Sequence, residues 1–253
     1  MNELALFAGG GGGLLASRLL GWRTRCAVEI NPYARKTLLA RQKDGHLEDF
    51  PIWDDVKTFD GRPWRGSISV VTGGFPCQDI STAGQGKGIT GERSGLFFEM
   101  LRIVSEVQPA YVFAENSPNL RTKGLTTVVK ELNSLGYDCR WCVLGAWHVG
   151  APHKRNRMWI LAHAPSVRQS GQREPVYSSH TKEVAEGKAV DVIDECFPHF
   201  WSTEPSLGRV ANGVANRMER LTALGNGQVP AVAALAWRVL SKGLQKENCN
   251  EQT

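Results

Sequence analysis

Apolar positions along the chain fall into short blocks whose period alternates. Leu4-Ala5-Leu6-Phe7 is a continuous apolar run halted by Gly9 to Gly13, and residues 14–20 follow with helical spacing as far as Gly21. This predicts a strand, a tight glycine turn and a helix. A second strand over 26–30 leads into Asn31-Pro32, the cap-then-proline order that opens helices. The alternation repeats with a strand over 68–72 and a helix over 94–107, then a strand over 110–114 and a helix over 124–135. A strand pair near 137–146 and 156–162 closes the series. Strands alternating with helices predict an α/β fold built on a doubly wound, mostly parallel sheet. Right-handed crossovers then bring the strand C-termini to one edge, where such sheets bind ligands.

Residues 164–206 break the rhythm, with Ser, Gln, Gly, Pro and charges in place of long apolar periods. The apolar stretch 229–237, reached through Leu224-Gly225-Asn226-Gly227, restores it as a helix. The expected organisation is a catalytic and cofactor-binding domain over 1–163 plus 224–245, with a small irregular region over 164–223. A polar, disordered tail is expected over 246–253.

Composition narrows the class without changing this picture. Of 253 residues, 42% are hydrophobic and 22% charged, which excludes a disordered, collagen-like or disulfide-scaffold chain. No run approaches the roughly 18 unbroken apolar residues of a membrane span, and the N-terminal run has no basic segment before it. A soluble, cytoplasmic protein with its six cysteines reduced is expected. The net charge of +5 permits a polyanionic partner, but 164–223 carries a net of −1. Any phosphate-binding face should therefore lie mostly outside that segment.

Four places carry candidate chemistry. The glycine turn lets backbone N–H groups and a helix N-terminus approach a ligand closely. Glu29, 18 residues after Gly11, is placed to accept both hydroxyls of a ribose. Leu14 stands where the dinucleotide pattern needs its third glycine, so a nucleoside ligand fits better than a dinucleotide. Cys77, in Gly73-Gly74-Phe75-Pro76-Cys77-Gln78, follows a strand at the ligand edge; a lone Cys is commonly a small core residue, but this context favours a nucleophile. Glu115-Asn116 follows the neighbouring strand over 110–114, at the same edge. His153-Lys154-Arg155-Asn156-Arg157 feeds the last strand, where positions 153, 155 and 157 share one face if the strand begins early.

Taken in order, these segments resemble the C5-cytosine DNA methyltransferase family. The resemblance rests on Phe7-Ala8-Gly9-Gly10-Gly11-Gly12, Pro76-Cys77-Gln78, Arg93-Ser94-Gly95-Leu96-Phe97-Phe98, Glu115-Asn116, Arg155-x-Arg157 and Gly225-Asn226. It implies a class I, Rossmann-like methyltransferase sheet, S-adenosylmethionine as methyl donor, and a cytosine flipped out of double-stranded DNA. It also implies Cys77 as the nucleophile at C6, Glu115 as the acid at N3, and Arg157, with Arg155 beside it, stabilising O2. On the cofactor side it implies Phe7, Gly9, Gly11 and Pro76 around adenosine and methionine, Glu29 at the ribose, and Ile30 on an adenine face. Asp55 and Val56 would meet the adenine edge, and Asn226 the methionine end. Gln78, Ser81 and Arg93 fall in the part that closes over DNA.

Several positions depart from the family pattern: Ala5 where Asp is common, His153 where Gln is, and Ser117 where Val is. None removes a reacting group. The target-recognition segment is short for the family and offers few side chains for base edges. A recognition site of about two to four base pairs is expected. Two alternatives stay open, a transfer-RNA cytosine methyltransferase and a catalytically silent DNA-binding regulator. A bacterial or phage-encoded enzyme in a restriction-modification setting is the expected context, and a homodimer is compatible with it. Metal binding is not expected, because Cys139 and Cys142 on one strand would face opposite sides. Trp141, Trp147, Trp159 and Trp237 sit in apolar contexts and are expected in the core.

Overall fold

The computed structural model describes residues 1–75, 95–165 and 227–244. Among these residues seven strands form one sheet: β1 (Asn2–Leu6), β2 (Arg23–Val28), β3 (Ile52–Trp53), β4 (Val70–Gly74), β5 (Tyr111–Asn116), β6 (Asp138–Leu144) and β7 (Arg157–His163). Their order is β3-β2-β1-β4-β5-β7-β6. All neighbours pair in parallel except β7, which runs antiparallel to both β5 and β6. This is the doubly wound, mostly parallel sheet that the alternation predicts, closed at one end by an antiparallel strand slotted between β5 and β6.

Helices cover both faces. Among the described residues they are α1 (Gly12–Leu19), α2 (Pro32–Lys43), α3 (Gly95–Val107), α4 (Leu120–Lys123), α5 (Leu125–Ser134) and α6 (Pro230–Ser241). The cap read at Asn31 is present, its side chain accepting from the backbone N–H groups of Tyr33 and Ala34. On one face Leu4, Leu6, Val71, Val112 and Ile160 pack with Met100, Ile103 and Val128 of α3 and α5. On the other, Val70, Phe113, Trp159 and Leu161 meet α6. Trp237 of α6 is the hub there, edge-on to Trp22, Tyr111 and Phe113 at centroid distances of 4.5, 5.2 and 5.5 Å. Return of residues near 229–237 to the sheet is thus a consequence of the apolar stripe they carry.

Cys139 and Cys142 belong to the cores on opposite faces, and burial pushes both thiols up to about 12. Trp159 and Trp237 are core residues and Trp141 packs partly buried against the core, but Trp147 is a correction. It is 50% exposed in a short 3-10 turn, stacked on His148, with its indole N–H donated to Asn156 Oδ1 at 3.1 Å. Its apolar neighbours Ala146 and Val149 take the buried positions of that turn instead.

Glu3 is a buried carboxyl inside β1, accepting from the hydroxyls of Ser17, Thr24 and Thr72 at 2.7 Å each. Burial raises its pKa above the ordinary 4.5, against the lowering by these three bonds. A raised carboxyl favours the folded state most when neutral, so its contribution is full below 4.5 and falls as pH climbs through the folded-state pKa. Glu3→Gln, which cannot ionise, should lose this dependence. Urea unfolding at acid and mildly alkaline pH should show the parent losing ground to the variant as pH rises. Glu3→Ala should cost about 2–3 kcal/mol at acid pH, from hydroxyls left without their acceptor, and less at mildly alkaline pH.

Candidate active site

The first strand ends in a turn that only an unusual backbone can make. Phe7 has φ +54°, Gly9 +54° and Gly11 +93°, all in the left-handed region. At Gly11 a side chain would also meet Leu38, whereas at Gly9 and Gly10 the space above Cα is open. The result is a concave, backbone-lined cup at the N-terminus of α1.

Glu29, just beyond β2, is buried and spans the mouth of that cup. Its carboxylate accepts from the Gly9 N–H at 2.6 Å and the Asn31 N–H at 2.8 Å, one on each oxygen. Arg35 from α2 donates to the Glu29 and Ile30 carbonyls at 3.0 and 2.9 Å, which fixes the chain around it. Each Glu29 oxygen keeps a second lone pair. Ile30 and Trp53, 66% and 46% exposed, leave apolar surface beside this carboxylate. A carboxylate acceptor next to exposed apolar side chains and an open glycine cup suits a nucleoside with free hydroxyls and a flat base.

Asp55 follows β3, and its carboxylate accepts from the Lys57 N–H at 2.9 Å. Its turn is clamped from α3, because Arg102 donates to the carbonyls of Val56 and Phe59 while pairing with Glu99 and Glu106. The Val56 side chain is itself a core residue, so only its backbone is available to a ligand.

Glu115 is the penultimate residue of β5, between β4 and β7 and opposite Gly74 and Trp159. It is largely buried, and Arg157 Nε of β7 lies 2.9 Å from its Oε1. Burial is the largest influence and raises its pKa; Arg157, a hydrogen bond from the Gln228 side chain and the charge of Arg155 all oppose it. Arg155 does not lie on the strand, as an early start of β7 would have it. β7 begins at Arg157, and Arg155 has φ +33°. Its guanidinium reaches the Gly227 carbonyl, ahead of α6. Both guanidiniums still face the Glu115 side of the cleft, by different routes.

The adjacent Asn116 is buried and donates to the Phe75 carbonyl at 3.0 Å. It thereby fixes the point where the chain leaves β4 toward Pro76 and Cys77. Among the expected site residues, the structure brings Phe7, Gly9, Gly11, Glu29, Glu115, Arg155 and Arg157 to one sheet edge. Pro76, Cys77, Gln78, Ser81, Arg93 and Asn226 lie outside the described residues, as do most of 164–223 and the tail from 245 on. Sequence reasoning missed the roles of Asn116 and Gln228. Asn116 could have been weighed from its place beside Glu115 at a strand end.

The profile of the C-5 cytosine-specific DNA methylase family matches residues 1–225. The type II methyltransferase M.CviJI of Paramecium bursaria Chlorella virus IL3A is 38% identical over 163 residues, covering 64% of this chain and 42% of that protein. The type II methyltransferase M.Eco47II of Escherichia coli is 35% identical, covering 63% and 38%. Among solved structures, a prophage-encoded E. coli protein named as a DNA modification methyltransferase superposes with a TM-score of 0.55 at 27% identity. That match covers 66% of this chain and 47% of the other. The chain thus spans about two fifths of the length of these two curated relatives.

Proposed function

The chain belongs to the C-5 cytosine-specific DNA methylase family, and from that membership we propose that it methylates C5 of a cytosine flipped out of duplex DNA. The observation that carries this reading is the largely buried Glu115 carboxyl at the strand edge, held by Arg157 with Arg155 close by. S-adenosylmethionine is the proposed methyl donor, supplying an electrophilic methyl group when bound. Glu29, the Phe7–Gly11 turn, Ile30 and the Asp55–Val56 turn would hold its nucleoside part, and Asn226 its amino-acid end.

Cytosine C5 is a weak nucleophile, so density must first be pushed onto it. In the proposed sequence the Cys77 thiolate adds to C6, and the displaced electron pair moves toward N3, O2 and C5. Glu115 donates its proton to N3, while Arg157 exchanges its carboxylate partner for the O2 that gains charge. Loss of Arg157 from Glu115 removes a charge that lowers its pKa, so the acid takes up its proton as the base is seated and the arginine turns to O2. C5 then takes the methyl group; its proton passes to solvent, the C5=C6 bond re-forms as the C6–sulfur bond breaks to return Cys77 as thiolate, and N3 returns its proton to Glu115. The rate should fall as pH rises through the raised Glu115 pKa, since only the protonated acid works.

Proposed substrates are separated by incubating the chain with labelled S-adenosylmethionine and either duplex DNA or bulk transfer RNA. Label in DNA cytosine is the expected result, and label confined to RNA would overturn the choice of substrate. The segment 164–206 has few groups able to read base edges, among them Arg168, Gln169, Arg173 and His180. Bisulfite sequencing of an expressing host should therefore find a site of about two to four base pairs. Methylation restricted to one defined site of six or more would contradict this.

A further inference from the structure

We infer that Gln228 is the positioning residue for the Glu115 carboxyl, its side-chain amide bridging the two glycine turns and donating to the carboxylate. The inference rests on the proposed role of Glu115 as acid. Three glycines, two opening α1 and one ending β4, make room for this residue and for the carboxylate it meets. A Cβ on Gly12 would run into the Gln228 backbone, and one on Gly13 would lie 2.7 Å from its Oε1. A Cβ on Gly74 would lie 2.9 Å from Glu115 Oε2 and 3.3 Å from Gln228 Nε2. The amide oxygen thus faces the start of α1, and its nitrogen meets the carboxylate above Gly74. The hydrogen bond from Gln228 to Glu115 favours the ionised form.

The segment is anchored on its other side by Arg155, which donates to the carbonyl of Gly227. One stretch of chain therefore touches the cofactor cup, the carboxyl and one of the two arginines. Among the described residues, the charged groups facing Glu115 are Arg157 and Arg155, both reaching it from the β7 side. β4 presents only Gly74 there, and the β1–α1 turn presents no charge. Gln228 is the uncharged partner on the remaining side. It can restrain the direction of the carboxyl without adding a second titrating group, and it holds back protonation until the base arrives.

The test follows Glu115 itself rather than turnover. In a chain labelled with carboxyl-13C glutamate, the Glu115 resonance is identified by its loss in Glu115→Gln and titrated by NMR without cofactor or DNA. Gln228→Met, close in volume and unable to donate, should raise the titration midpoint by about one pH unit, the loss of one hydrogen bond to the charged form. The alkaline limb of single-turnover methylation should move up with it. The maximal rate should fall while KM for DNA stays put. Gln228→Asn, which keeps the amide but shortens its reach, should give an intermediate midpoint and guards against a packing defect in the methionine variant. An unmoved midpoint in folded Gln228→Met, shown by an unchanged urea transition, would overturn the inference. If instead Glu115→Gln methylates DNA like the parent with an unaltered alkaline limb, the acid role of Glu115 is what fails, whatever Gln228 does to the midpoint.

Discussion

Cys77→Ser should lose methyl transfer by on the order of 10⁴-fold or more while keeping cofactor affinity within about twofold. A serine hydroxyl is almost entirely protonated at neutral pH and attacks C6 poorly even when correctly placed. Only the neighbours of position 77 would touch the cofactor, so binding of S-adenosylhomocysteine, measured by calorimetry, should survive. The described cysteines offer no substitute. Cys26, Cys139 and Cys142 are buried, and burial pushes their thiols up to about 11, 12 and 12. Methylation surviving in Cys77→Ser together with lost cofactor affinity would move Cys77 from the base to the cofactor side.

Glu29→Ala should weaken S-adenosylhomocysteine binding by about 2–4 kcal/mol, roughly 30- to 1000-fold, from two lost bonds to a charged acceptor. The structure adds a second reason. Glu29 also ties down the Gly9 and Asn31 N–H groups, so the alanine variant loosens the cup as well as removing the ribose acceptor. Glu29→Gln separates the two effects, because its amide keeps one acceptor oxygen and most of the shape. It should lose about half as much binding free energy. The cofactor KM should rise far more than kcat falls. Unchanged affinity in Glu29→Ala would mean that the nucleoside does not lie across this carboxylate.

Much of this arrangement was legible because local chemistry dictates it. Asn31-Pro32 announces a helix start that needs nothing from the rest of the chain, and Glu29 is marked as the acidic residue between that start and the apolar run before it, although β2 itself runs over Arg23–Val28 rather than 26–30. The antiparallel placement of β7 between β5 and β6 was only half legible. The apolar alternation marks two strands, but which neighbour each takes is decided by packing against α6 and α5. Trp147 misled because its neighbours Ala146 and Val149 are apolar. In a 3-10 turn those neighbours point inward and leave the indole outside. Glu3 gave no warning, since its three hydroxyl partners lie 14 to 69 residues away. Gln228 was invisible for the same reason: in Gly225-Asn226-Gly227-Gln228 it reads as loop, and its significance rests on Gly12, Gly13 and Gly74 far upstream.

The proposed covalent bond between Cys77 and C6 of cytosine can be trapped. Fluorine at C5 cannot leave as the proton does, so after methyl transfer the adduct with 5-fluorocytosine DNA cannot resolve. Incubating the chain with S-adenosylmethionine and a duplex carrying 5-fluorocytosine in the target found by bisulfite mapping should give a denaturation-resistant protein–DNA complex. Peptide mass spectrometry should place the modified nucleotide on Cys77, and Cys77→Ser should form none. Absence of any adduct while the same chain methylates unmodified DNA at C5, or an adduct on another residue, would contradict the account.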